Sequence, residues 1–390
     1  MLNPEKIITS VFNDPLFVRL ELILSPECNL SCAYCYMKRH NLKGCSPQMP
    51  KEIIDQAIAT FRSYRKTPFQ IDLFGGEPLL QTNLVGHVLE KTKDDPMVTL
   101  VNIPTNGYVA ATYPKEVGEL LAAFPKLCLS FSVDGPYTDP YQRKPLEEYS
   151  HLRIDYDNLF HLFAEHPQQC GFHPMIYAET TNQLFNTFKF FVDNIKRWGP
   201  PNIPVGDILY LLQVRNGNTW TKERVDWLID ESFRCVSYVK EQQINPGDSK
   251  FNFLRGIGKV KRGLTCGLQT QLTVSWDGSL YPCHRLIYPE FCYGHIGSLL
   301  EVNLDKFLLF YYYHRNNNLI CRHCNFDSDK ETCVGGCLGA QYEYWGDPLI
   351  PIPDVCYMLK RFHKEVENVI VWEQGIPTLR MARGRRYQSS

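Results

Sequence analysis

The chain has 390 residues, and its 41 Lys and Arg residues nearly balance its 42 Asp and Glu residues, for a net charge of −1 at pH 7. Such a balance argues against nucleic acid or a membrane surface as a partner. The sequence contains no uncharged apolar stretch of about eighteen residues, and residues 1–11 lack the apolar segment of a signal peptide, so we expect a cytoplasmic protein. In that reducing compartment its 15 cysteines are not expected to form a disulfide framework.

Short apolar runs alternate with amphipathic segments over about the first 215 residues. The runs predicted to be strands are 17–24, 70–74, 98–103, 127–133, 173–177 and 207–214. The segments predicted to be helices are 51–64, 84–93, 115–124, 155–164, 183–197 and, beyond the last of these strands, 222–242. This alternation predicts parallel strands with right-handed crossovers, in an open sheet or a partial barrel.

A part rich in Cys, Gly and aromatic residues follows, and we expect the domain boundary between about residues 245 and 262. In it, Asp277-Gly278 separates two apolar runs, 270–275 and 279–282. An Asp-Gly pair in this setting predicts a β-hairpin.

Polar motifs follow the first four predicted strands. In parallel α/β folds the chemistry gathers at the carboxyl ends of the strands. A Gly-Gly or Asn-Gly pair alone usually marks a turn, but four motifs in register predict a shared site. In chain order they are the cysteine loop 28–35, Gly75-Gly76-Glu77-Pro78, Thr105-Asn106-Gly107 and Ser132-Val133-Asp134-Gly135.

The cysteine loop contains a C-x3-C-x2-C triplet, Cys28, Cys32 and Cys35. A [4Fe–4S] cluster normally takes four cysteines, so three would leave one iron open. Zinc is an alternative, with His40 as the fourth ligand, although zinc ligands usually come as two pairs. Three buried structural thiols are a further alternative, which suits this polar loop poorly.

With Tyr34 before its last cysteine, the triplet resembles the signature of the radical S-adenosylmethionine superfamily. The resemblance implies an α/β fold built on a partial (β/α)6 TIM-like barrel. It also implies that the open iron of a [4Fe–4S] cluster binds S-adenosylmethionine (SAM), with Tyr34 touching the adenine. Reductive cleavage of SAM then yields methionine and a 5′-deoxyadenosyl radical, while the protein orients the cofactors.

The resemblance extends to the other strand ends. The GGEP segment matches the family's, in which the glycines let the backbone approach SAM and Glu77 accepts from its ammonium group. Ser132 is similar to the hydroxyl that contacts the ribose, and Arg143 to the cation that binds the methionyl carboxylate, a role that suits a bidentate donor. Thr105 and Asn106 would line the pocket, and for Asn106 a turn role is an alternative.

A second set of seven cysteines lies in the C-terminal part. Two zinc ions are one interpretation, because Cys-x2-Cys is a common zinc spacing. The pattern also resembles the SPASM extension of radical enzymes, which carries two auxiliary [4Fe–4S] clusters. By that resemblance the nearer cluster is bound by Cys266, Cys283 and Cys337, and the outer one by Cys321, Cys324, Cys333 and Cys356.

Two features of this set depart from a complete ligand pattern. The gap of eight residues between Cys324 and Cys333 is longer than usual, and the nearer cluster lacks one ligand. Cys292 could supply that ligand, or it could be a small buried hydrophobe that leaves an iron open for substrate. The expected domains are a small Cys-rich α+β SPASM domain at 251–365 after the barrel at 1–250, and a tail at 366–390.

These resemblances imply oxidative modification of a peptide or protein side chain, as in maturases of ribosomally made peptides that form thioether, carbon–carbon or related crosslinks. Sulfatase-maturing members have an Asp base after the auxiliary-cluster cysteine. Here His284 follows Cys283, which argues against that alternative. His284 could accept a proton from the oxidised substrate, or it could hydrogen-bond a cluster sulfur or a hairpin carbonyl.

The residues alone leave other functions and partners open. The alternatives are a radical dehydrogenase of a small-molecule alcohol or sugar and a non-catalytic zinc-binding interaction protein. Only 27 residues precede Cys28, too few for a leader-binding domain, so a peptide could be presented by a separate leader-binding protein. The clusters require an electron donor such as a flavodoxin or ferredoxin.

Overall fold

The computed structural model describes residues 3–40, 46–199, 220–242, 267–324, 333, 335–367, 370–373 and 376–379. The strands are β1 Arg19–Ile23, β2 Leu30–Cys32, β3 Phe69–Phe74, β4 Val98–Thr105, β5 Leu127–Phe131, β6 Arg143–Pro145, β7 Cys170–Phe172, β8 Gln271–Val274, β9 Ser279–Tyr281, β10 Gly294–His295, β11 Ile370–Glu373 and β12 Ile376–Leu379. The helices are α1 Pro4–Phe12, α2 Lys51–Tyr64, α3 Thr82–Thr92, α4 Tyr108–Thr112, α5 Pro114–Ala123, α6 Asp139–Gln142, α7 Tyr156–Glu165, α8 Leu184–Trp198, α9 Lys222–Glu241, α10 Leu304–Tyr311, α11 Leu319–Arg322, α12 Leu338–Trp345 and α13 Pro353–Glu367.

A single sheet with the strand order β10-β9-β8-β1-β3-β4-β5-β7 forms the centre of the molecule. Strands β1, β3, β4, β5 and β7 are parallel to their neighbours, and helices connect them along the chain. This arrangement confirms the predicted α/β fold with parallel strands and helical crossovers. The sixth predicted strand, 207–214, lies outside the described residues.

One predicted strand is misplaced. The apolar run His173–Tyr177 is not a strand, and the ladder with β5 is instead made by the preceding residues, Cys170–Phe172. The last bond of that ladder is donated by the His173 amide to the carbonyl of Phe131, 2.7 Å away. The next amide that could bond β5 is that of Met175, two residues on, and it donates to Asp134 Oδ1 at 2.7 Å instead, so the strand ends before the run begins.

The predicted hairpin around Asp277-Gly278 is confirmed, since β8 and β9 pair antiparallel and Gly278 has a φ of 85°. Its position was not predicted. Strand β8 lies parallel to β1, with Arg19 opposite Gln271 and Leu22 opposite Val274, so the C-terminal part continues the sheet of the barrel. The expected boundary between residues 245 and 262 lies outside the described residues, and the division into domains stays a prediction.

Helices cover the sheet with their apolar faces. In α2, the buried residues recur at helical spacing and pack into the main core: Ile54, Ala57, Ile58 and Phe61. Helix α1 begins at Pro4 because the side chain of Asn3 accepts hydrogen bonds from the amides of Glu5 and Lys6. Among the described helices we find none that is long and apolar enough to cross a membrane.

Candidate functional site

A cavity of about 890 Å³ opens at the carboxyl ends of the parallel strands. It extends from the first cysteine loop to the C-terminal cysteines, so it joins the two predicted ligand sets. The predicted site residues that line it are Cys28, Cys32, Tyr34, Cys35, Gly75, Gly76, Thr105, Asn106, Ser132, Arg143, Cys283, His284, Cys321, Cys324, Cys333, Cys337 and Cys356. Glu77, Pro78 and Cys292 are not part of this lining, and Cys266 lies outside the described residues.

Two hydrogen-bond donors lie close to the sulfur of Cys28 in the first cysteine loop. The amide of Leu30 donates to Cys28 Sγ at 3.4 Å, and Nδ2 of Asn106 lies 3.8 Å from the same sulfur. Burial, the carboxylate of Glu77 and the neighbouring Cys32 raise the pKa of Cys28 well above its ordinary value. Because thiolates crowded in this way need positive charge nearby, the donor set fits an iron–sulfur cluster.

A short strand pairing brings Arg143 to the cysteine loop. Strand β2 pairs antiparallel with β6, which places Cys32 opposite Arg143. Arg143 is buried and donates from Nη1 to the hydroxyl of Tyr34 at 3.0 Å. Its buried Nε–H has no hydrogen-bond acceptor within the described chain, and Asp139 Oδ1 lies 3.6 Å from it. An orphaned donor beside this cavity fits the carboxylate that the resemblance assigns to Arg143.

Burial by itself lowers the pKa of Arg143, but Tyr34, Cys32, Asp134 and Asp139 outweigh it and hold that pKa well above its ordinary value. Asp134 accepts from the hydroxyl of Tyr34 and, at 2.7 Å, from the amide of Met175. The sequence analysis named Asp134 only as part of the motif after the fourth strand and gave it no role. The structure adds it as the residue that orients Tyr34.

The glycines of the GGEP segment approach backbone atoms of the cysteine loop. A Cβ on Gly75 would lie 2.2 Å from the carbonyl oxygen of Ser25, and one on Gly76 would lie 2.2 Å from that of Glu27. The amides of Gly76 and Glu77 donate to those same two oxygens, at 2.9 and 2.8 Å. The small size of these residues therefore lets the second strand end hold the chain just before Cys28.

Glu77 is buried and binds other parts of the protein. Its Oε1 accepts from Thr105 Oγ1 at 2.7 Å and from the Leu79 amide at 3.0 Å, and its Oε2 accepts from the Asn106 amide at 2.6 Å. Burial outweighs these hydrogen bonds and raises the pKa of Glu77. The carboxylate thus ties the second strand end to the third. A direct contact with the ammonium group of SAM stays a prediction.

Four of the C-terminal cysteines lie close enough to influence one another. Burial, together with Cys333, Cys356 and Cys324, raises the pKa of Cys321 to about 11. These are the four residues that the resemblance assigns to the outer auxiliary cluster. Their mutual repulsion as thiolates fits a site that needs a cation or cluster.

The described residues include part of the ligand set that the resemblance assigns to the nearer auxiliary cluster. Cys283 and Cys337 both line the cavity, and Arg285 Nη1 lies 3.8 Å from Cys337 Sγ. The thiol of Cys292 is half-buried and donates to the carbonyl of Gly294 at 3.4 Å, and its role as a cluster ligand stays a prediction. Within the described ranges, no group of three or more His, Cys, Asp and Glu side chains is placed to hold a metal ion, so support for clusters comes from these donors and from relatives.

His284 belongs to a polar contact that sequence reasoning missed. Its Nδ1 lies 2.7 Å from Oε1 of Glu21, and its ring stacks on Phe74 at 4.4 Å between centroids. Glu21 lies in the middle of β1 and is 1% exposed. A carboxylate between two leucines in the middle of a strand was the available signal, since charged residues are rarely buried without a partner.

Comparisons with known proteins agree with this site. Residues 18–151 match the family model of the 4Fe-4S single cluster domain. The chain is 31% identical over 97 residues to the probable GTP 3′,8-cyclase of Methanococcus maripaludis (strain C6), which covers 25% of this chain and 30% of that protein. It is 26% identical over 102 residues to the radical SAM cyclopropyl synthase TigE of Paramaledivibacter caminithermalis, 23% of this chain and 22% of that protein. The matched part thus spans less than a third of these relatives' length.

Solved structures share the fold over most of the chain. Native anSMEcpe with bound AdoMet has a TM-score of 0.63 and 17% identity, covering 89% of this chain and 96% of that one. SuiB of Streptococcus suis bound to S-adenosylmethionine has a TM-score of 0.54 and 14% identity, covering 90% and 80%. The resemblance to the radical SAM superfamily is confirmed.

The cofactors expected for a radical SAM fold are supported as well. The 4Fe-4S family match covers the first cysteine loop, and neighbours of this fold carry AdoMet. The family match supports a [4Fe–4S] cluster at the first cysteine loop, and the expected cofactors fit neighbours of this fold that were solved with AdoMet. They favour iron and sulfur over the zinc alternative.

Proposed function

We propose that this chain is a radical SAM enzyme that oxidatively modifies a peptide or protein side chain. The observation that carries the proposal is the single cavity that joins the first cysteine loop and Arg143 on one side to Cys283 and His284 on the other. A substrate held in it would face both the SAM site and the C-terminal cysteines. At about 890 Å³ the cavity is near the upper end of the size range of small-molecule sites, which leaves room beside a nucleoside.

The protein's own residues would bind and orient the reactants. Arg143 would hold the methionyl carboxylate through its unused Nε–H, Ser132 would contact the ribose, and Tyr34 would be held against the adenine by Asp134. When bound, a cluster held by Cys28, Cys32 and Cys35 would, together with SAM, supply radical chemistry that removes a substrate hydrogen, and a cluster held by the C-terminal cysteines would supply an acceptor for the second electron. His284 would take the proton released at that step.

A peptide substrate is supported by what neighbours of the same fold bind. SuiB has been solved with the precursor peptide SuiA, and anSMEcpe with AdoMet and the Cp18Cys peptide. In this chain a peptide would enter the cavity directly or be presented by a separate leader-binding protein. A flavodoxin or ferredoxin would supply the electron. Crosslink formation is the expected outcome of losing two hydrogens from one peptide.

The test begins with SAM alone. Anaerobically purified and reconstituted protein, reduced with dithionite, should release 5′-deoxyadenosine from SAM. Cys32→Ala should abolish that release, because Cys32 is a proposed cluster ligand. Cys128→Ala is the matched control, since Cys128 lies outside both ligand sets and its thiol donates to the Gln168 carbonyl, and it should keep the wild-type rate.

The substrate class is tested separately, by mass spectrometry of short peptides encoded beside the gene. Loss of two hydrogens from such a peptide, dependent on SAM and on reduction, supports the proposal. If no peptide changes while an alcohol or sugar is oxidised, the small-molecule dehydrogenase is correct instead. If the wild type releases no 5′-deoxyadenosine, both the peptide-modifying and the dehydrogenase hypotheses are wrong.

A further inference from the structure

Arg285 is a buried cation that contacts a carboxylate with one edge and a cysteine sulfur with its remaining nitrogen. Its Nε donates to Oε1 of Glu343 at 2.9 Å, and its Nη2 donates to Oε2 of the same carboxylate at 2.6 Å. Its Nη1 lies 3.8 Å from Sγ of Cys337. Only 7% of Arg285 is exposed, so these contacts take the place of water around the guanidinium.

The contact with Glu343 fixes the direction in which Nη1 points. A guanidinium is planar and rigid, so a carboxylate that holds the Nε and Nη2 edge also sets the orientation of Nη1. Cys337 directly precedes helix α12, and Glu343 lies within that helix, so one element carries both partners of Arg285. Because arginine has only donors and keeps its charge, the sulfur of Cys337 must be the acceptor.

Gly339 makes room for the stem of Arg285. A Cβ at Gly339 would lie 2.5 Å from Cγ of Arg285, 2.8 Å from its Cβ and 2.9 Å from its Cδ. Gly339 and Glu343 are four residues apart in α12 and therefore lie on the same face of the helix. That face accommodates the aliphatic part of Arg285 at one turn and binds its guanidinium at the next.

A second arginine contacts the same carboxylate from the side of the first cysteine loop. Nη1 of Arg39 lies 3.7 Å from Oε1 of Glu343, and its Nη2 donates to the backbone carbonyl of Arg285 at 3.4 Å. The guanidinium carbon of Arg39 lies 3.7 Å from the centre of the Tyr288 ring. Two guanidinium groups and one carboxylate leave a net positive charge in this group of side chains.

A donor of this kind changes the redox properties of an iron–sulfur cluster. Hydrogen bonds to its sulfurs and nearby positive charge stabilise the more negative, reduced state, and so raise the reduction potential. The effect is larger when the donor is charged, because charge-assisted hydrogen bonds are stronger than neutral ones. Cys337 is one of the residues that the resemblance assigns to the nearer auxiliary cluster.

We propose that Arg285 is a positioning residue that directs an N–H···S hydrogen bond at Cys337 and thereby raises the reduction potential of the nearer auxiliary cluster. The presence of a cluster at Cys337 rests on the proposed function. In that function the substrate radical loses one electron to a C-terminal cluster and one proton to His284. The raised potential makes the cluster at Cys337 the acceptor of that electron, and a one-electron carrier protein oxidises the cluster again.

Arg285→Lys tests the hydrogen bond, because a lysine keeps the charge but lacks the rigid fork that holds Glu343 and faces the sulfur at once. The full-length protein, reconstituted anaerobically, would be titrated with a mediated reductant and followed by electron paramagnetic resonance. The nearer cluster gives the signal that SAM leaves unchanged and that Cys337→Ala removes. At a fixed potential we expect its reduced-to-oxidised ratio to fall about tenfold in Arg285→Lys, equal to about 59 mV for one electron.

Arg39→Lys is the matched control, since it makes the same replacement in the other arginine that faces Glu343. Its ratio should stay within about twofold of the wild type, because no hydrogen bond to a sulfur is removed. Equal potentials in the wild type and Arg285→Lys would overturn the proposal, and so would an equal fall in both variants. If Cys337→Ala removes no signal, Cys337 binds no cluster and the proposal is wrong.

A measurement on the wild type decides the question even if Arg285→Lys does not take up its clusters. Protein produced with arginine labelled with nitrogen-15 would be reduced and examined by electron spin echo envelope modulation, which detects nitrogen nuclei close to a paramagnetic cluster. We expect a nitrogen-15 coupling on the nearer-cluster signal in the wild type and in Arg39→Lys. Its absence in the wild type would refute the contact between Arg285 and the cluster.

Release of 5′-deoxyadenosine, measured in the same preparations, separates this inference from the proposed function. A wild type that releases none, while Arg285→Lys lowers the potential as expected, refutes the radical chemistry and leaves the role of Arg285 standing. A wild type that releases it, with the same potential in Arg285→Lys, refutes only the role of Arg285.

Discussion

Single residues at this site already bind other parts of the protein, in addition to any ligand they could bind. Glu77 illustrates the difference between a motif and its geometry. The motif predicts an acceptor for SAM, whereas the observed carboxylate already accepts from Thr105, Leu79 and Asn106. Four donors around one buried carboxylate at Glu21 follow the same pattern. Buried acceptors need partners, and the nearest donors are those of adjacent strand ends.

A substitution at Gly76 tests the packing of the cysteine loop. In Gly76→Ala the new Cβ would lie 2.2 Å from the Glu27 carbonyl oxygen and 2.5 Å from that of Pro26, so the chain before Cys28 must shift. We expect a melting temperature lower by several degrees and reduced iron content after reconstitution.

Gly86→Ala is the control for that substitution. Gly86 lies in α3, and a Cβ there would meet nothing within 4 Å. Replacing a helical glycine by alanine should stabilise the protein by up to about 1 kcal/mol. Normal iron content and stability in Gly76→Ala would show that the loop tolerates the shift, contrary to the close contacts described above.

At the scale of elements, the segment between β5 and β6 is built around a buried acidic pair. Asp139, the first residue of α6, accepts from the amide of Asp134 at 2.9 Å and from the hydroxyl of Tyr156. Burial, with the like charge of Asp134, raises the pKa of Asp139 to about 6. Arg143, at the other end of the segment, offsets part of that effect.

The raised pKa of Asp139 predicts in which direction the stability of the protein changes with pH. The folded state binds the Asp139 proton more tightly than the unfolded chain, whose pKa is about 3.9. The contribution of this group to stability is therefore largest below about pH 4 and is lost as the pH rises to about 6. We expect the melting temperature of Asp139→Asn, relative to the wild type, to increase across that range.

Asp157→Asn, an exposed position in the first turn of α7, should show no such change relative to the wild type. The measurement is a series of thermal melts at several pH values. A constant difference between Asp139→Asn and the wild type from pH 4 to pH 6 would contradict the raised pKa.

At the scale of the whole molecule, the N-terminal part of the chain and the Cys-rich C-terminal part share one sheet. Strand β1, near the N-terminus, pairs with β3 on one side and with β8 on the other. Composition alone suggested a change of domain between residues 245 and 262. It could not indicate that the later hairpin would add to the earlier sheet, because strand pairing depends on which edge is left open in three dimensions.

This shared sheet predicts the behaviour of a shortened chain. A fragment of residues 1–250 would lose β8, expose the edge of β1 and leave the Glu21 carboxylate without Thr273, Gln271 and His284. Open strand edges promote aggregation. We expect the fragment to be insoluble under conditions in which the full chain is monodisperse. A soluble fragment that unfolds cooperatively would instead support an independent barrel.

The local pattern of residues was sufficient for much of the site. The alternation of strands and helices predicted the parallel sheet, and the motifs after its strands predicted a shared site that includes Cys28 and Ser132. The family resemblance added Arg143, and one cavity brings the three together. These features depend on the periodicity of apolar residues and on the spacing of motifs, both of which can be read from the sequence. The misplaced strand at 173–177 shows the limit, since the amide of Met175 bonds the side chain of Asp134 rather than the backbone of β5.

Only the tertiary structure decided the partners of buried charges. Nothing near Glu21 in the sequence points to His284, which is 263 residues away, and nothing near Arg143 points to Tyr34, 109 residues before it. Which groups meet inside a protein depends on how its strands and loops pack. The sequence by itself therefore determined which reactive side chains this protein has. The packing of its strands and loops decided which of those side chains face the cavity.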